Sequence, residues 1–208
     1  ESIDRSMLLH ALLAPPHAYD LDGRCPAAGS GDGGSTPYAA GSTPLQVALS
    51  QRNWDVASLL LDAGASTNPA DLPKQRSLLH AAAEAGDASS CSFLAQRGAA
   101  INAADADGMS PLDVAVVHEQ AAAATAIREH GGVPVYSHEG ETLVHQLASS
   151  GRPTALAILV SAGSVDVPNQ LGLTPLHLAT LNGHRRTAEV LIDSRADIHT
   201  SAPPSDAA

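Results

Sequence analysis

The sequence predicts an all-α fold, a solenoid of stacked helix-turn-helix units joined by β-turn fingers. Three observations predict it. Helix-start tetrapeptides recur at Thr43-Pro44-Leu45-Gln46, Ser77-Leu78-Leu79-His80, Ser110-Pro111-Leu112-Asp113, Thr142-Leu143-Val144-His145 and Thr174-Pro175-Leu176-His177, in steps of 34, 33, 32 and 32 residues. Glycine recurs 21 positions after each start, at Gly64, Gly98, Gly131 and Gly163, with Arg195 the exception. Aromatic residues make up 2% of the 208 residues against 44% apolar, so Ala and Leu must build thin, closely packed layers.

Each unit reads the same way. Thr or Ser caps a first helix, and Pro suits its first turn, where no intrahelical N–H bond is lost. Leu in third place and Ala in sixth (Ala48, Ala82, Ala115, Ala179) give a small packing face. Gly86, Gly151 and Gly183 then end the helix with a left-handed residue. A second helix follows, with one apolar face: Val56, Ala57, Leu60 and Leu61 in one unit, Ala155, Leu156, Leu159 and Val160 in another. The phased glycine stops it, and a polar stretch leads onward. A helix pair this small cannot bury its apolar face alone, so neighbours must stack.

Two positions depart from the pattern. Arg52 and Glu119 stand where the other units carry glycine, at a cost of about 1–2 kcal/mol if they keep the left-handed geometry. The 110 unit also fills its second helix with Ala121 to Ala124, a thin core that makes it the expected least stable unit.

The repeat array is expected to run over residues 43–200, with units starting near 43, 77, 110, 142 and 174. Residues 1–14 read as a degenerate N-terminal repeat or capping helix, because Met7-Leu8-Leu9-His10-Ala11 echoes Ser77-Leu78-Leu79-His80-Ala81. Residues 15–42 are too rich in Pro, Gly and Ser for a second helix and read as a loop, with disorder as one reading. Residues 201–208 read as a flexible tail.

Bulk properties narrow the function. The net charge of −11 argues against nucleic acid, which needs clustered Lys and Arg. Cys25 and Cys91 lie far apart and form no CxxC pair, which fits a reducing compartment, cytoplasm or nucleus. No apolar run approaches the roughly 18 residues of a membrane span, and no signal-peptide pattern opens the chain. The chain begins at Glu1 rather than Met, as a piece of something longer would.

Tempting chemical motifs do not hold. Asp105-Ala106-Asp107-Gly108 resembles part of a calcium loop, but the first ligand position falls on Ala103 and the closing carboxylate position on Val114. It reads better as the tip of a finger turn. The glycine-rich stretch at 29–34 lacks the Gly-Lys-Ser/Thr ending of a phosphate loop. No nucleophile elbow gathers Ser, His and Asp. His184-Arg185-Arg186 reads as a solvated face, and Trp54 as cover for a neighbouring helix. No catalysis, metal or cofactor is expected.

The period of about 33 residues, with Thr174-Pro175-Leu176-His177 followed by Ala179, resembles the T-P-L-H-x-A pattern of ankyrin repeats. The resemblance covers about residues 41–200. It implies a structural role for Thr43, Thr142 and Thr174 and for His80, His145 and His177, tying each turn to the next. Asp113 and Gln46 replace that histidine and can still bond. Histidines about 10 Å apart, as packed helices place them, cannot share a metal. The resemblance also implies a monomeric protein-binding module, with partner-facing residues on finger tips and first helices. Those positions are Gln170, Leu171, Leu173, Leu181 and Asn182, then His138, Glu139, Glu141, Ser149 and Ser150. Earlier units add Ala106, Asp107, Met109, Val117 and His118, then Lys74, Arg76 and Glu84. Leu171, Leu173, Leu181, Met109 and Val117 form an apolar stripe, with Leu173 equally suited to tuck between repeats. Two alternatives remain: a regulatory domain of a larger enzyme or channel, or a substrate for asparaginyl hydroxylation. The second rests on Asn68, Asn102 and His199, each eight residues after a leucine (Leu60, Leu94, Leu191).

Overall fold

The computed structural model describes residues 42–68, 75–138, 140–160 and 165–201. The expectations for residues 1–14, for nearly all of 15–42 and for all but the first residue of 201–208 lie outside these residues. So do Lys74, Glu139 and Gly163, and the side chain of His138. The chain divides into two compact units, Glu1–Pro69 and Ala70–Ala208.

In the first unit, α1 (Pro44–Ser50) packs on α2 (Trp54–Asp62). Thr43 caps α1: its Oγ1 accepts from the Gln46 N–H at 3.3 Å, and Gln46 Oε1 accepts from the Thr43 N–H at 2.7 Å. Asn53 caps α2 by accepting from the Val56 N–H at 3.2 Å. Leu45, Ala48, Leu49 and Ala57 are buried.

Among the described residues, the second unit holds four helix pairs: α3 (Leu78–Ala85) with α4 (Ala88–Gln96), α5 (Pro111–Val117) with α6 (Ala121–Glu129), α7 (Leu143–Ser149) with α8 (Pro153–Val160), and α9 (Pro175–Leu181) with α10 (Arg185–Asp193). One short hairpin, β1 (Ser137–His138) and β2 (Glu141–Thr142), forms the finger before α7, with Ser137 opposite Thr142 and His138 opposite Glu141. The pairs stack: α3 packs on α5 and α4 on α6, while α7 packs on α9 and α8 on α10. The buried layer is the predicted one of small and branched residues. It includes Leu79, Leu94, Leu112, Ile127, Leu143, Leu156 and Leu191.

Helix ends follow one design. An N–H two or three residues past the helix reaches back to a carbonyl five residues earlier: Asn53 to Ala48, Asp87 to Ala82, Gln120 to Ala115 and His184 to Ala179. The sixth-place alanine thus supplies the carbonyl that closes its own helix. The intervening residue is left-handed in every case. Gly86 (φ 74°), Gly151 (68°) and Gly183 (70°) adopt this freely, while Arg52 (53°) and Glu119 (58°) adopt it despite their side chains. Arg195, the exception to the glycine phase, has φ 66° and makes the same turn, with the Ala196 N–H on the Leu191 carbonyl.

Candidate partner-binding face

The recurring histidines sit in closed hydrogen-bond sets. His80 Nδ1 accepts from the Ser77 backbone N–H at 3.1 Å and lies 2.7 Å from Ser77 Oγ, which itself accepts from the His80 N–H. Nε2 is then the protonated nitrogen and donates to the Met109 carbonyl at 3.0 Å, one unit on. His145 repeats this with Thr142 at Nδ1 and the Leu173 carbonyl at Nε2, 3.3 Å away. His177 has the same Nδ1 partner, Thr174, at 3.1 Å from its N–H, but belongs to the last unit. It lines an open cleft of about 230 Å³ with Leu181, Asp197 and Ile198. Burial lowers the pKa of His80 and His145, and the carbonyl bonds offset this only in part.

Asp113 replaces the histidine with opposite polarity. Its Oδ2 accepts from the Ser110 N–H and Oγ, and from the Val135 and Tyr136 N–H groups at 2.9 Å each. An acceptor-only group must seek amides where imidazole seeks a carbonyl. Its Oδ1 is buried without a donor among the described residues.

Two finger tips are set by a side-chain oxygen of Asp or Asn. Asp105 Oδ1 accepts from the Asp107 and Met109 N–H groups, and Asn169 Oδ1 accepts from those of Leu171 and Leu173. Gly108 and Gly172 are left-handed in the same turns. Burial opposes ionisation of Asp105, yet the Met109 N–H, the Arg76 guanidinium and the Asp107 N–H together hold its carboxyl below the usual value. The spacing Asp/Asn-x-x-Gly-x-Ser/Thr, at 105–110 and 169–174, was the available signal for this role.

The predicted face residues fall into two groups. Arg76, Glu84 and His118 come together: Arg76 donates to Glu84 at 2.7 Å and to Asp105 at 3.0 Å, and His118 Nε2 lies 3.6 Å from Glu84. The Arg76 side chain is 15% exposed, held within this set. Glu141 accepts from Asn169 at 3.1 Å, joining two fingers. Met109, Val117 and Leu173 are half-buried, while Ala106, Asp107, Ser150, Gln170 and Asn182 are exposed and Ser149 is half-buried. Leu171 and Leu181 stand out at 70% and 72% exposure, on the finger tip and the first-helix end of one unit.

His184 is no part of a solvated face: its Nε2 pairs with the Ser149 carbonyl at 3.0 Å, and its ring lies against Gly151. Arg152, at the same place in its own unit, donates to the Val117 carbonyl at 2.6 Å. Both close the exposed end of the preceding first helix. Their side chains differ in type, so no motif marks them. Arg185, in contrast, is exposed and pairs with Glu189 along α10. Asn102, one of the three hydroxylation positions, donates to the Gly131 carbonyl and accepts from the Val133 N–H at 2.9 Å. Among the described residues, no helix is long and apolar enough to cross a membrane.

The comparisons with known proteins agree with this geometry. The family model for ankyrin repeats in three copies matches residues 125–202, and that for the single ankyrin repeat matches 40–72 and 74–106. The chain is 31% identical over 165 residues to the nuclear factor NF-kappa-B p105 subunit of Gallus gallus, covering 76% of this chain and 17% of that protein. It is 30% identical over 143 residues to inversin of Canis lupus familiaris, covering 67% of this chain and 13% of inversin. Human inversin is 29% identical over the same length. The chain thus spans under a fifth of these relatives. Ankyrin repeats are protein-interaction modules, and with the period, the capped helix pairs and the bridging histidines in place, this chain belongs to the ankyrin-repeat family.

Proposed function

We propose that this chain is a protein-binding module without catalysis of its own, engaging a partner through its finger tips and first helices. The observation that carries the reading is the exposure of Leu171 and Leu181 on the finger tip and first helix of one unit. Large apolar side chains left in water at adjoining levels of a scaffold are what a partner's anchor residues bury. The histidines His80, His145 and His177 support the same reading, because the Nδ1 of each is committed to the Ser or Thr that caps its own helix. Cys91, a buried free thiol with its pKa pushed up to about 12 by burial and by Asp87, suits a reducing compartment such as cytoplasm or nucleus. We take the module to be monomeric.

The test is affinity capture with the native chain and the Leu171→Glu/Leu181→Glu double variant, both checked for native helicity and unfolding midpoint. Loss of the captured partner from the folded variant is expected. Undiminished capture would place binding elsewhere.

A further inference from the structure

The stack in the second unit is not uniform. Between the 77 and 110 units, and between the 142 and 174 units, first helix packs on first helix and second on second. Between the 110 and 142 units the main helix contact is instead α5 against α8. Polar ties divide at the same place. Val133, Val135 and Tyr136 are held to the 110 unit by Ser110 and Asp113. From Ser137 onward the ties run the other way: Ser137 pairs with Thr142, Glu141 takes the Asn169 amide, and Gly140 lies against the Gln170 side chain. The change of allegiance falls at the Tyr136–Ser137 peptide link.

Asp113 explains the break. A histidine there would donate to the carbonyl just before the next cap, as His80 and His145 do to Met109 and Leu173. A carboxylate cannot, so it binds amides six and seven residues before Thr142 and leaves the next helix pair unpinned on that side. Arg152 spans the boundary: its Nη2 donates to the Val117 carbonyl at 2.6 Å and to Glu119 at 3.0 Å, gripping the end of α5.

We propose that the second unit is two rigid pairs of repeats hinged at residues 136–137, with Arg152 as the latch that sets the angle. The hinge divides the candidate face. Glu84, Met109, Val117 and His118 ride on one half, and Glu141, Ser149, Leu171 and Leu181 on the other, so its angle sets the width offered to a partner.

Spin labels on the full chain test this, in a Cys25→Ser background with Cys91 buried. One pair, Ala81→Cys with Gln146→Cys, spans the hinge; a second, Gln146→Cys with Thr180→Cys, lies within one half. In Arg152→Met the distance distribution of the spanning pair is expected to about double in width while the control pair stays narrow. Asp113→His, which restores the residue type of the neighbouring units, is expected to narrow the spanning pair again. Equal widths for both pairs in the native chain and in Arg152→Met would overturn the hinge, as would equal broadening of both.

Discussion

The Nε2 of His145 lies 3.3 Å from the backbone carbonyl oxygen of Leu173, 28 residues on, while Nδ1 of the same ring holds Thr142. One imidazole therefore fixes the start of its own helix and the finger of the next unit. The same bridge runs from His80 to Met109. These rings are fasteners between repeats.

Removing a fastener is costly in the interior and cheaper at the end. His80→Ala or His145→Ala deletes a buried ring and leaves a turn amide and a carbonyl unpaired, for an expected loss of about 2–3 kcal/mol. His177→Ala, half-exposed in the last unit, should lose about 1 kcal/mol. Urea unfolding of the three variants measures the difference, and equal losses would contradict it.

Acid should loosen the array through the same rings. Burial lowers the folded pKa of His80 and His145 below the unfolded value of about 6.5. The unfolded chain then binds more protons, so the stabilisation is complete above that value and falls away as the pH drops through the folded pKa values. A proton on Nδ1 would also face the Ser77 or Thr142 donors. Thermal midpoints across pH 5–8 should therefore decline toward the acid end, and less steeply in a His80→Gln/His145→Gln variant.

Arg195 keeps a left-handed backbone at a place where other units use glycine. Arg195→Gly should stabilise the chain by about 0.5–1 kcal/mol, the reduced strain outweighing the added freedom of the unfolded state. Gly151→Ala should act in the opposite direction, because its Cβ would meet the His184 ring at 2.6–2.8 Å as well as the φ of 68°. Chemical denaturation of the pair checks both signs.

The 110 unit is expected to open first. Alanines 121–124 give α6 little side chain to bury, and Asp113 Oδ1 has no donor among the described residues. Amide exchange in α5 and α6 should outpace that in α7 and α8; matching protection would contradict this.

Much of the scaffold was legible because its rules are local. A cap residue, Pro in the first turn, a sixth-place Ala and a left-handed residue each act within about ten positions, so their recurrence exposes the period. Even Arg195 took the conformation that its phase required. The ties made by His184, Arg152 and Asp113 were harder to read. Each depends on which backbone group a neighbouring unit presents some 22 to 35 residues away, and unlike side chains meet that need. The candidate face was legible as positions, but not as partnerships. Arg76 reads as a partner-facing position in the sequence and is bound to Asp105 and Glu84 in the fold.

Long-range proton–nitrogen NMR of the histidine rings at neutral pH tests the central account most directly. His80 and His145 should appear as neutral Nε2–H tautomers whose ring protons exchange slowly with solvent. Charged or Nδ1–H rings in fast exchange would show that these residues face water or a ligand, and the fastening role would fail.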